Sequence, residues 1–405
     1  MNKAFKLTSA FFLLIAIAIG CTKVDLATVN TSLNAYVDPF AAIKTAFGTN
    51  IDFVNLSNYA NQTKPNYINN DNTGTDTIKD NKATLGRVLF YDKNLSINNT
   101  ISCSSCHKQA FAFSDTALIS NGVIGGVTER HSMRLINARF SNEEKFFWNE
   151  RAASLEIQTT MPMQDHAEMG FSGQNGRGNL DTLLNKLSKI NYYKEIFKTI
   201  YGDTIVTQSR LQESLAQFIR SIQSFDSKYD SGRARVNNDG LAFPNFTATE
   251  NAGKALYLTP PVFDGSGNRI AGGAGCNGCH RAPEFDIDPN SRNNGIVGII
   301  GSTSIETNDT RAPSLRDLVK ADGTPNSRMM HTGQFTSIEG VLGHYNNIPI
   351  VRGNNNLDGK LRVDGVGNKL RLTPTETAQL IAFIQTLGGK NVYVDKKWSD
   401  PFLNH

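Results

Sequence analysis

Long hydrophobic runs are missing from this 405-residue chain: its one extended apolar stretch, Ala10 to Ile19, is too short to span a bilayer. Clustered charge is missing too. The 41 Lys and Arg and 37 Asp and Glu leave a net charge of +4, without the basic blocks of a nucleic-acid or anionic-membrane binder. Charge names no partner, and nucleic acid is not expected as one. Strand alternation is scarce and no short-period repeat is visible. The glycine-rich DGSGNRIAGGAG at 264–275 lacks the Gly-Lys-Ser/Thr ending of a phosphate loop and reads as a flexible surface turn. Spare cysteine is absent as well. Four of the five cysteines lie in two CxxCH frames and the fifth is Cys21, so none is left for a structural disulfide.

What is present begins with MNKAFKLTSAFFLLIAIAIG: two early lysines, the apolar run, and a small residue before Cys21. This is the layout of a signal peptide for export. The ending IAIG-C resembles a bacterial lipobox, which would make Cys21 the lipidated first residue of a lipoprotein. That protein would be tethered by lipid alone and face the periplasm or the cell surface. A buried helix is the plain alternative. Residues 21–84 read as an extension and linker, in which NQTKPNYINNDNTGTDTIKDNK at 61–82, having no apolar period, is a linker or surface loop.

The remaining length allows two cores. Helices are expected where apolar residues recur three or four apart. Leu211, Leu215, Phe218, Ile219, Ile222 and Phe225 form such a face over 208–226. Thr373-Pro374 with Glu376 opens another, running through Leu380, Phe383 and Ile384 to a stop at Gly388, and Thr247 with Glu250 opens a third. The class is mainly α with long loops, and a boundary near 230–240 separates halves of 85–235 and 236–395.

The frames are CSSCH at 103–107 and CNGCH at 276–280. CxxCH is the attachment signal of c-type heme. Cysteines three apart share one side of a helical turn, so both sulfurs reach the vinyl groups, and the next residue is a proximal iron ligand. Cys103, Cys106 and His107 would hold one heme, and Cys276, Cys279 and His280 the other. A zinc site built from both pairs, a redox dithiol and chance are the competing readings.

The blocks LGRVLFYDKNLSINNTISCSSCHKQAFAFSD, FFWNERAASLEIQTTMPMQDHAEMG, CNGCH and RAPSLRDL followed by MMHTGQFTSIEGVLGHYN occur in that order. They resemble the bacterial diheme cytochrome c peroxidase and MauG family over residues 85–390. The resemblance implies two cytochrome c-like heme domains, with peroxide acting at the N-terminal, peroxidatic heme and electron transfer through the C-terminal one. It places Trp148 between the hemes, Gln158 and Glu168 in the distal pocket, and Pro162 along its wall. A carboxylate there can move a proton between peroxide oxygens, and an amide can hold peroxide by hydrogen bonds. Taken without the resemblance, Trp148 reads as a core aromatic, and Gln158 and Glu168 as surface residues.

Two departures from the family stand out. Where its peroxidases often carry a sixth-ligand histidine, SNGVIGG supplies Val123, so the N-terminal iron is expected to be open at rest. Where they usually carry an axial methionine, this chain has Tyr345, as the MauG-like branch does. A helix opened by Thr336 and Glu339 would put Ile338, Leu342 and Tyr345 on one face, making Tyr345 the sixth ligand of the second iron. Met330, Met329, His331 and His344 are the reserves. Calcium, common between the family's domains, is left open because His131 replaces an asparagine ligand and calcium takes oxygen donors.

The leading reading is an oxidoreductase that reduces hydrogen peroxide to water with electrons from a small cytochrome c or cupredoxin. MauG-like oxidation of a protein or small molecule is the first alternative, favoured by Tyr345. A non-enzymatic diheme electron carrier is the second.

Overall fold

A computed structural model describes residues 38–404; the leader and Cys21 lie outside them. Helices dominate the regular structure. Among the described residues the strands form three two-stranded antiparallel ribbons, and no helix is long and apolar enough to cross a membrane.

The first hydrophobic cluster gathers around helices Asp80–Tyr91 and Gln208–Ser221. Thr207 caps the second of these, its side chain accepting from the Arg210 N–H, and Leu211, Leu215, Phe218 and Ile219 are buried as their spacing predicts. This helix stops at Ser221, short of the expected 226. Ile222 turns into extended backbone but keeps its side chain in the core. The pair crosses with backbones in contact, for a Cβ on Gly86 would lie 2.0 Å from the Ser214 carbonyl oxygen and 2.7 Å from Phe218 Cβ.

The second cluster repeats the device. Thr247 and Glu250 form the expected capping box on Ala248–Leu258, and Thr373 and Glu376 form one on Pro374–Gln385 with proline in its first turn. A Cβ on Gly253 would lie 1.9 Å from the Gln379 carbonyl oxygen and 3.0 Å from Phe383 Cβ. In both halves a glycine on the helix before the CxxCH frame sits beneath a carbonyl four residues ahead of a phenylalanine. Fully buried Arg316 pairs with Asp230 at 3.0 Å while Phe225, Tyr229 and Phe285 surround its guanidinium.

Three expectations need correction. Residues 61–79 lack helix and strand, but they are pinned rather than free. Gln62 donates to the Ser221 carbonyl at 2.8 Å, Tyr67 to Asp230 at 2.8 Å and Asn72 to the Ala138 carbonyl at 2.8 Å, with Ile68 and Ile78 buried. The anchors are polar side chains, which leave no periodic trace. The segment before them is core: helix Ala41–Phe47 buries Ile43 and Phe47, and the Leu403 N–H donates to the Ala46 carbonyl at 3.1 Å while Phe402 packs edge-on against Phe47. The glycine-rich stretch, finally, is an ordered hairpin of Pro261–Phe263 with Arg269–Gly272, its turn closed by Asp264 accepting from Ser266 and Asn268.

Candidate functional site

The first frame forms a one-turn helix, Cys103–Cys106, whose start is held by reciprocal hydrogen bonds between Ser102 and Ser105. His107 caps its end. The half-buried imidazole points Nδ1 at the Phe113 carbonyl, 3.1 Å away. Burial pushes its pKa down, against the pull of the Phe113 and Met133 carbonyls.

His107 and Cys106 border a cavity of about 180 Å³ that Trp148, Gln158, Pro162 and Glu168 also line. Gln158 and Pro162 share a face of helix Leu155–Gln164 because they are four residues apart, and Ser154 caps that helix by accepting from the Ile157 N–H. Glu168 follows in a loop ordered by Asp165, whose carboxylate accepts from the Ala167 and Glu168 N–H groups at 2.8 and 2.9 Å. Burial raises the Glu168 pKa to about 7, Asp165 adds to the rise, and Arg151 opposes it.

The loop carrying Val123 is zipped to that same segment, its N–H donating to the carbonyls of Ala167 and Glu168 at 3.0 and 3.1 Å. Gly122 allows the approach: a Cβ there would lie 2.0 Å from the Ala167 oxygen. Val123 is buried and has no atom that could bind iron.

The second frame is a tight turn, Cys276–Gly278, followed by Cys279 and His280. These residues border a larger cavity of about 580 Å³ with Met329, Met330, His331 and Tyr345. The helix bearing Tyr345, Ile338–Tyr345, is capped by Ser337 rather than Thr336, since it is Ser337 Oγ that accepts from the Gly340 N–H. The predicted face is retained, with Ile338 and Leu342 in the core and Tyr345 packed on it. His344 points elsewhere, Nε2 at the Asn294 carbonyl at 2.9 Å, and His331 Nε2 turns to the Gly298 carbonyl at 3.1 Å. Asn294 offers its amide to both Met330 Sδ at 3.3 Å and the Tyr345 hydroxyl at 3.5 Å. Burial raises the Tyr345 pKa and, with Arg134, lowers that of His280 to about 4.

Trp148 lines both cavities. Its indole N–H donates to the His131 carbonyl at 2.8 Å, its own carbonyl accepts from the Thr310 and Arg311 N–H groups at 2.9 and 3.0 Å, and its ring meets His331 edge-on at 6.2 Å. His131 faces the Leu118 carbonyl through Nδ1 at 3.2 Å, and its buried Nε2 has no partner among the described residues. It presents nitrogen, not oxygen, at the position considered for calcium. Sequence reasoning passed over Arg134, which borders both cavities; a lone arginine in HSMRLINA carries no pattern to find it by.

Residues 80–237 match the model of the CCP_MauG family, di-haem cytochrome c peroxidase. That match spans about two fifths of the chain. It is 28% identical over 315 residues to methylamine utilization protein MauG of Methylophilus methylotrophus, covering 76% of this chain and 82% of that one. It is 22% identical over 322 residues to cytochrome c551 peroxidase of Nitrosomonas europaea, covering 76% and 80%. The solved structure of a MauG-like protein associated with microbial copper homeostasis matches with a TM-score of 0.62 at 25% identity, over 84% of this chain and 99% of that one. The diheme peroxidase BthA from Burkholderia thailandensis shares the fold, with a TM-score of 0.58 at 19% identity over 82% and 90%.

The residues suit a di-haem protein of this family. Each CxxCH imidazole borders its own cavity, and His280 Nδ1 and Arg134 Nε are buried polar atoms without partners among the described residues. A four-cysteine zinc site is not assembled: Cys276 and Cys279 face the larger cavity, Cys106 faces the smaller, and Cys103 packs on the N-terminal core.

Proposed function

We propose that the protein reduces hydrogen peroxide to water at the Cys103–His107 site, drawing electrons through the Cys276–His280 site from a small cytochrome c or cupredoxin. Cys103, Cys106 and His107 would hold one c-type heme and Cys276, Cys279 and His280 the other. Each half would then be a cytochrome c-like domain, a reading supported by the paired helix crossings beneath Gly86 and Gly253. The bound hemes supply the redox chemistry. The polypeptide supplies the proton path. Glu168 takes a proton from the near peroxide oxygen and delivers it to the far one, while Gln158 holds the peroxide by hydrogen bonds and Pro162 closes the wall. The loop carrying Val123 lines this pocket through Val127, whose side chain has no atom that binds iron, so in this reading the resting site is open to peroxide. Export and a lipid on Cys21 would place the enzyme on the periplasmic or outer face of a bacterial membrane.

One observation carries the reading: Glu168 and Gln158 share a small cavity with the His107 imidazole. Mixing the as-isolated oxidised holoprotein with one equivalent of hydrogen peroxide in a stopped-flow spectrophotometer tests it. A fast Soret change without prior reduction is expected. A requirement for one added electron would mean that another ligand closes the site, and silence in both states would leave an electron carrier. Tyr345 at the His280 cavity favours a second reading, MauG-like oxidation of a protein or small molecule, because an anionic tyrosinate stabilises higher oxidation states.

A further inference from the structure

Arg134 has no role in the reaction as drawn above. It is 7% exposed and stands in the wall beside Trp148, bordering both cavities. Nη2 donates to the Ser314 carbonyl at 3.0 Å, while Nε is buried with no acceptor and the side chain forms no ion pair among the described residues. Asp317 attracts it from a distance, but one oxygen of that carboxylate already accepts from the Gly389 N–H and the Tyr393 hydroxyl. A guanidinium keeps its charge, and a buried charge demands a counter-ion. The molecule therefore carries a preformed, planar, largely uncommitted cationic fork at the seam between two cofactor cavities. The fork matches a carboxylate, and the carboxylates a c-type heme carries are its propionates.

We propose that Arg134 is the shared carboxylate anchor of the two cofactor sites, its guanidinium binding a propionate from the heme of each cavity. This rests on the two-heme reading. A single cation then biases both irons toward the reduced state, and couples them through one rigid group held by the Ser314 carbonyl.

The test uses heme-loaded full-length protein and the variants Arg134→Gln and Arg134→Lys. Pyridine hemochrome and intact mass first count the hemes; a wild-type protein without two of them would overturn the cofactor reading and the anchor with it. With both hemes present, spectroelectrochemical titration of Arg134→Gln should show both midpoint potentials falling together, because loss of a buried cation favours the ferric state. Arg134→Lys keeps the charge but not the fork, so its potentials should stay near wild type while the propionate bending bands of both hemes shift in resonance Raman spectra. Unmoved potentials in Arg134→Gln, or movement of one alone, would refute the shared anchor while leaving the two-heme reading standing. If Arg134→Gln fails to load heme, unshifted propionate bands in Arg134→Lys refute it instead.

Discussion

The His131 carbonyl accepts the Trp148 indole N–H at 2.8 Å, fixing the ring that both cavities share. Trp148→Phe removes that bond and part of the wall. Electron passage between the two sites is expected to slow by about tenfold or more, a barrier change of about 1.4 kcal/mol. The first reaction with peroxide, which precedes that passage, should keep its rate. Rapid mixing of protein reduced at one heme separates the two steps; equal slowing of both would remove Trp148 from the electron path.

Glu168 must be ionised to accept a proton, and burial sets its pKa at about 7. The rate with peroxide should therefore climb as pH rises toward 7 and level off above it. Glu168→Gln should flatten this profile and lower the rate by roughly 10²- to 10⁴-fold. Stability should respond in the opposite sense. The folded carboxyl binds its proton more tightly than the unfolded one, so its contribution is whole below the ordinary carboxylate pKa and is lost as pH rises through about 7. A wild-type rate profile surviving in Glu168→Gln would assign the proton transfer to another group.

Tyr345 shares the His280 cavity, its hydroxyl 3.5 Å from the Asn294 amide. Tyr345→Phe should change the absorption and paramagnetic resonance spectra of one heme and leave the other as it was. Identical spectra would hand the position to Met330, whose sulfur touches the same amide at 3.3 Å.

Gly253→Ala places a methyl group where the Gln379 carbonyl already lies, 1.9 Å from the new Cβ. Overpacking of this kind destabilises by about 1 to 3 kcal/mol. Gly86→Ala, facing the Ser214 carbonyl at 2.0 Å, should lose a similar amount from the other half. Denaturant titration of the two variants measures both losses; a neutral result at either would mean that the helices can slide apart without penalty.

The capped helices were legible because Thr247, Thr373 and their glutamates act within one turn, and the two CxxCH frames stood out because each pattern is confined to five residues. The N-terminal half of the helix pairing was legible from Leu211, Leu215 and Phe218, but not its close approach, since Gly86 reads as an ordinary weak helix position until its partner is known. The docking of 61–79 was hidden for another reason. Gln62, Tyr67 and Asn72 find their partners between 66 and 163 residues away, and nothing local marks a polar side chain for such a contact. Arg134 was hidden likewise. Its isolation within the fold, not its neighbours in the chain, is what sets it apart.

The contact of Leu403 with Ala46 bears on how the molecule could be rebuilt. Because the two ends of the described chain lie against each other, a short glycine-serine bridge could join them without stretching the fold. The chain could then be reopened at the exposed 350–355 loop, giving a circular permutant with the same helix crossings in which the last helix is made first while the CxxCH frames keep their native order of synthesis. Opening it instead between the frames would reverse that order, so the two CxxCH segments could be made in either sequence within one architecture.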